Sequence, residues 1–232
     1  MKKTFDLLVF DWDGTLINSI AWIVECIQQA ALSCAYKKPD IGAVRGIIGL
    51  SLGEAMSTLF PGASKDTTAK LVNRYRELYC SKNIQQNDLF FGVADMLVSL
   101  RGQGYLLAVA TGKGRVGLNA AMCATSTEDL FDATRCSDET ASKPDPMMLL
   151  QIMDQLGVNR NRTLMIGDTV HDLKMAQNAG VSAIAVSCGA DGESALNKYA
   201  PLYCLSNTVE LMGSLELLPG RLSENKNLYQ EH

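Results

Sequence analysis

Two patterns of apolar residues alternate along this chain. Short, largely apolar runs, Leu7 to Phe10, Tyr105 to Ala110, Thr163 to Ile166 and Ala183 to Val186, have the length and continuity of strands buried on both faces. Between them lie longer stretches with apolar residues at three- and four-residue spacing, which predicts helices with one buried stripe. Strands alternating with helices predict a parallel sheet covered on both sides, a doubly wound α/β fold. Three of the runs end in polar loops: Asp11 onward after the first, Thr111-Gly112 after the second and Gly167-Asp168 after the third. Ligands of open α/β sheets bind outside the carboxyl ends of the strands, so these loops are expected to converge on one crevice.

From about Ile17 to Asp88 the strand pattern disappears. Ile20 to Ala35, Ser51 to Phe60 and Lys65 to Cys80 carry helical periodicity, and Ser51 with Glu54 predicts a capping box. Gly14 allows a sharp turn after the first strand, and Thr15 is placed to cap a helix beginning near Asn18. A helical block between two strands of one sheet reads as an inserted α-helical cap, residues 17–88, with hinges around Ile17 to Ser19 and Asn87 to Gly92. Residues 1–16 and 89–218 then form the α/β core, and 219–232 are polar enough to be a flexible tail.

Composition narrows the partners. The 232 residues are 47% hydrophobic and 20% charged, enough for a core domain plus a smaller insert. A formal charge of −4 gives no basic footprint for nucleic acid and no attraction to anionic lipid. No window approaches the roughly 20 apolar residues of a membrane span. The seven cysteines are scattered, with no C-x-x-C pair, and read as reduced thiols of a cytoplasmic protein. Met1-Lys2-Lys3 has the charge of a leader segment, but the apolar run after it is short and is followed by Asp11 and Asp13.

The chemistry concentrates in Asp11-Trp12-Asp13-Gly14-Thr15. Two carboxylates where a strand leaves the sheet need compensation, because an unpaired buried acid costs several kcal/mol. A divalent cation is the simplest compensation. This segment, followed in order by Thr111-Gly112, Lys143-Pro144 and Gly167-Asp168 with Asp172, resembles the four motifs of the haloacid dehalogenase superfamily over residues 5–212. The branch it resembles holds small-molecule phosphatases with a helical cap after the first strand. Ile48-Gly49-Leu50-Ser51-Leu52 adds similarity to phosphoglycolate phosphatases and related pyrophosphatases. The resemblance implies an aspartyl-phosphate on Asp11, Mg²⁺ as cofactor and a small phosphorylated metabolite as substrate.

The residues suit those roles chemically. A carboxylate at Asp11 can attack a phosphoryl group and divide one hard displacement into two. Asp13 can protonate the leaving oxygen and then take a proton from water. Lys143 supplies fixed positive charge, and Thr111 with the Gly112 turn supplies hydrogen-bond donors for phosphoryl oxygens. Asp11, Asp168 and the main-chain carbonyl of Asp13 offer Mg²⁺ the oxygen ligands it prefers. Asp172, one helical turn past Asp168, is placed to hold a metal-bound water or to orient Lys143.

Other readings compete. A dehalogenase has no need of the second acid, Asp13. A pyrophosphatase or a sugar phosphomutase would use the same aspartates; the family's sugar mutases place Arg where this chain has Leu52, which favours hydrolysis. A response-regulator receiver carries its aspartate on a middle strand of a chain half this length. A phosphate-binding regulatory protein that had lost catalysis would be expected to lack a motif residue. Trp12 stands where Phe or Leu is commoner in the family. His171, Lys113 and Arg115 read as exposed helix residues, and Arg45, Lys37 and Lys38 are the basic positions of the cap. Oligomeric state is open at this stage.

Overall fold

The computed structural model describes residues 3–218; the tail expected at 219–232 lies outside the described residues. Six parallel strands, β1 (Leu7–Phe10), β2 (Leu106–Thr111), β3 (Ala133–Cys136), β4 (Thr163–Gly167), β5 (Ser182–Val186) and β6 (Cys204–Leu205), form one sheet in the order β3-β2-β1-β4-β5-β6. β1 lies between β2 and β4, with Leu8 opposite Leu107 on one side and Leu164 on the other. Alternation along β1 divides its side chains. Leu8 and Phe10 join an apolar cluster with helix α5 (Val93–Gly102) and helix α6 (Arg115–Thr125); Leu7 and Val9 join another with α7 (Met147–Leu156) and α8 (Val170–Ala179). The sheet is therefore covered on both faces, as the continuous apolar runs predict.

The strand order reverses between β1 and β4. Past β1 the chain builds outward through β2 to β3, then crosses back to place β4 on the other side. Loops leaving β1 and β4 diverge at that point and open a crevice at their carboxyl ends.

Between β1 and α5 the chain makes four α-helices: α1 (Ile20–Ser33), α2 (Ile41–Arg45), α3 (Leu52–Leu59) and α4 (Lys65–Cys80). They enclose an apolar cluster of their own, including Ile27, Val44, Met56 and Leu71. The chain enters and leaves this block side by side: Ile17 bridges antiparallel to Leu89, Asn18 N–H donates to the Asp88 carbonyl and Phe90 N–H to that of Leu16.

Some local expectations are corrected. Thr15 caps no helix; α1 starts at Ile20 after Ser19, and the Thr15 hydroxyl reaches across to Asp168. Ser51 does cap α3, accepting from Glu54 N–H, and its own N–H donates to Ser142 Oγ, which ties the cap to the loop after β3. β3, β6 and α2 carry no sequence pattern of their own. β3 is an edge strand with half-exposed Thr134 and Arg135, and the other two are too short to show a period. Among the described residues, no helix is long and apolar enough to cross a membrane.

Phe10 is fully buried at the centre of the sheet. Phe10→Ala is expected to cost about 3–5 kcal/mol, read as a lowered urea midpoint at unchanged slope.

Candidate active site

Every motif residue read from the sequence stands at the carboxyl end of the sheet. Asp11 follows β1, Thr111 ends β2, Lys143 lies in the loop between β3 and α7, Asp168 follows β4 and Asp172 sits in the first turn of α8. Asp11, Asp168 and Asp172 are buried, with carboxylate oxygens within 4.8 Å of one another. The ammonium of Lys143, equally buried, lies 2.7 Å from Asp11 Oδ1 and 2.6 Å from Asp172 Oδ1. Those three atoms find no partner outside their own ion triad.

Each acid is fixed from a different element. Asp172 Oδ2 accepts from Thr169 N–H at 3.1 Å and from its hydroxyl at 2.7 Å, and Asp172 N–H donates back to Thr169, a capping box that locks the first turn of α8. The expected spacing of one helical turn between Asp168 and Asp172 is corrected: Asp168 precedes the N-cap Thr169 and lies outside the helix, yet both acids are buried in the same cluster. Asp168 accepts from the Thr15 hydroxyl at 2.6 Å and from Ala190 N–H at 2.7 Å. Gly14, at φ +84, leaves no room for a Cβ, which would run into the Asp168 carboxylate.

Electrostatics marks the cluster as short of positive charge. Burial pushes the Asp11 carboxyl up to about 7 against the pull of Lys143, and the charge of Asp172 pushes the same way as burial. Asp168 is raised well above the usual carboxylate range by burial and then by Asp11 and Asp172. Burial opposes the charge on Lys143, yet the two carboxylates beside it overcome that and raise its pKa. Three converging acids balanced by one ammonium suit a hard divalent cation with oxygen ligands.

Asp13 points the other way, toward the helical block. Its Oδ1 accepts from Ser19 Oγ at 2.8 Å and from the Tyr79 hydroxyl of α4 at 3.3 Å, and its Oδ2 meets Lys113 Nζ at 2.9 Å. Lys113 also donates to the Tyr79 hydroxyl at 3.1 Å and lies over that ring. The expectation of an exposed Lys113 is corrected, since its side chain is only 9% exposed. The Thr111 hydroxyl accepts from Lys113 N–H, and the Gly49 and Leu50 carbonyls press against Gly112 where a Cβ would stand.

The block touches the loops after β1, β2, β3 and β5 and the first turn of α8 after β4. Tyr79 meets Asp13 and Lys113; Ser51 meets Ser142, one residue before Lys143. The Gly46 carbonyl lies 3.1 Å from His171 Nε2, so His171 is a contact between block and sheet rather than a free surface histidine. Arg45 donates to the carbonyls of Gly189 and Ala190 at 2.6 and 2.9 Å, while Lys37 and Lys38 are exposed. Arg115 pairs with Glu139. Sequence reasoning misses Tyr79 entirely, because within α4 it reads as one more apolar stripe position.

The chain matches the family described as haloacid dehalogenase-like hydrolase over residues 8–186. It is 34% identical over 217 residues to "Probable phosphatase IndB" of Dickeya dadantii, covering 91% of this chain and 94% of that one. It is 29% identical over 217 residues to "Pyrophosphatase PpaX" of Bacillus mycoides, covering 92% and 98%. A crystal structure of a hydrolase from Pseudomonas syringae superposes with a TM-score of 0.82 over 93% of this chain and 98% of that one; at 20% identity this likeness is one of fold. The chain belongs to the haloacid dehalogenase-like hydrolase family. It is an enzyme of the family's phosphatase class.

If the acid cluster holds Mg²⁺, the ion stabilises the folded chain by mass action, about 2.7 kcal/mol at a hundredfold excess over Kd. Millimolar MgCl₂ is expected to raise the melting temperature above that in EDTA for the wild type and to do so far less for Asp168→Asn. Equal melting with and without Mg²⁺ in the wild type contradicts a metal site.

Proposed function

We propose that this protein is a Mg²⁺-dependent phosphatase that hydrolyses a small phosphate monoester, phosphoglycolate-like in size and charge, through a phosphoryl group carried on Asp11. The observation that carries the reading is the position of Asp11: it is buried at the reversal of strand order, 2.7 Å from Lys143 and within one cluster with Asp168 and Asp172. In the first half-reaction an Asp11 oxygen forms a bond to phosphorus as the bond to the leaving oxygen breaks, and Asp13 gives that oxygen its proton. In the second, water attacks the same phosphorus, Asp13 takes the water's proton, and inorganic phosphate leaves with Asp11 regenerated.

Lys143 offsets charge on the equatorial oxygens, and Asp172 holds it in line. Thr111 and the Gly112 N–H provide donors on the opposite side. When bound, Mg²⁺ neutralises phosphoryl charge, held by Asp11, Asp168 and the Asp13 main-chain carbonyl. We read residues 17–88 as the cap over this site, with residues 1–16 and 89–218 as the core. A second reading, hydrolysis of pyrophosphate, is favoured by the likeness to a pyrophosphatase along nearly the whole chain, and it uses the same residues.

Asp11→Asn is expected to lower turnover of p-nitrophenyl phosphate by at least about 10³-fold, with no acid-trappable phosphoenzyme. Near-normal turnover in that variant sinks the covalent route. Asp13→Asn should lower kcat for both half-reactions; a change in KM alone removes its acid/base role.

A further inference from the structure

Lys113 is a cation at the crevice that has a carboxylate partner and to which the phosphoryl chemistry above gives no role. It is almost wholly buried, and among the described residues its one salt-bridge partner is Asp13, whereas Lys143 pairs with Asp11 and Asp172. Burial opposes its charge, and Asp13, with lesser contributions from Tyr75 and Asp11, keeps its pKa above the ordinary lysine value. Tyr79, kept a phenol by burial and by the charge of Asp13, braces both groups from the helical block. To meet a leaving oxygen, Asp13 must give up at least part of this pairing. An ammonium stripped of its carboxylate in so buried a place is destabilised by several kcal/mol unless another anion replaces it. The group that arrives beside Asp13 at that moment is the leaving group of the substrate.

Resting on the phosphatase reading, we propose that Lys113, positioned by Tyr79, forms a subsite for a second anionic group carried by the leaving part of the substrate. That group is a carboxylate or a phosphoryl group, so the selected substrates are small phosphorylated anions rather than esters of neutral alcohols. Lys113 exchanges Asp13 for the incoming anion, which frees Asp13 and fixes the substrate in one step. A neutral leaving group offers no such exchange. The other cations that the described residues bring to the crevice are already engaged, Lys143 by Asp11 and Asp172 and Arg45 by two carbonyls.

The test compares kcat/KM for 2-phosphoglycolate with that for its neutral isostere 2-phosphoglycolamide, and includes pyrophosphate as the phosphoryl-bearing arm. The wild type is expected to prefer an anionic substrate by at least about 30-fold, the scale of leaving a buried charge unpaired. Lys113→Met should bring the ratio close to one, and Tyr79→Phe, which keeps the ring but not the hydroxyl, should narrow it less. Whichever anionic arm loses more in Lys113→Met identifies the group that Lys113 reads. A wild type without the preference, or a preference that survives Lys113→Met, overturns the subsite; an unchanged ratio in Tyr79→Phe removes Tyr79 from it. Turnover of p-nitrophenyl phosphate that is lost in Asp11→Asn keeps the phosphatase reading intact in those cases, whereas a wild type inactive on every ester overturns both.

Discussion

The arrangement depends on one buried ammonium. Lys143 lies between Asp11 and Asp172 with no exposed surface on its side chain, and each acid comes from a different strand's loop. Removing a partner from a buried ion pair is destabilising by about 3–5 kcal/mol, far more than a surface pair contributes. The position of Lys143 therefore ties the loop after β3 to those after β1 and β4. Asp172 is held in turn by the cap at the start of α8, and Asp168 by Thr15 and the Ala190 N–H from the loop after β5. A set of charges that could not remain buried separately is stable together, and it gathers four loops on one point.

The helical block meets that point in a different way. Its contacts with the sheet side are a few hydrogen bonds made by Ser19, Arg45, Ser51, Tyr79 and the Gly46 carbonyl, together with a close approach of backbone at Gly112. Ala190 is the sheet-side residue that joins the block's buried apolar cluster. Hydrogen bonds of this kind contribute about 0.5–1.5 kcal/mol each and are replaced by water when broken. Such a surface is closer to an interdomain contact than to a core, with a separate apolar cluster on either side of it.

The legible part of this architecture is the part that periodicity and short-range chemistry control. β1, β2, β4 and β5 are continuous apolar runs because both of their faces are covered, and Asp11, Asp168 and Lys143 stand where those runs end or in the loop beside them. The stripe of α4 alone places it at Lys65–Cys80. What escapes is whatever depends on contact between distant segments. β3 reads as polar because Thr134 and Arg135 lie at a sheet edge, and Thr15 looks like a helix cap until Asp168, 153 residues away, claims its hydroxyl. Lys113 looks exposed at a helix start, yet Tyr79 from the block packs against its ammonium.

Asp11 and Asp13 are two residues apart, yet they serve opposite sides of the crevice. Asp11 continues the line of β1 into the acid cluster, while Gly14, by turning at positive φ, lets the chain fold back so that Asp13 faces α4. One carboxylate thereby sits in a rigid pocket built wholly by the sheet, and the other in a pocket completed by the helical block. On the phosphoryl-transfer route proposed above, bond-making at phosphorus would need fixed charges that do not reorganise, and those are on the sheet side. Choice among leaving groups needs a surface that differs from one enzyme to the next without disturbing those charges. A separate helical layer, inserted directly after the strand that leads into Asp11 and reaching Asp13 through Ser19 and Tyr79, meets that requirement.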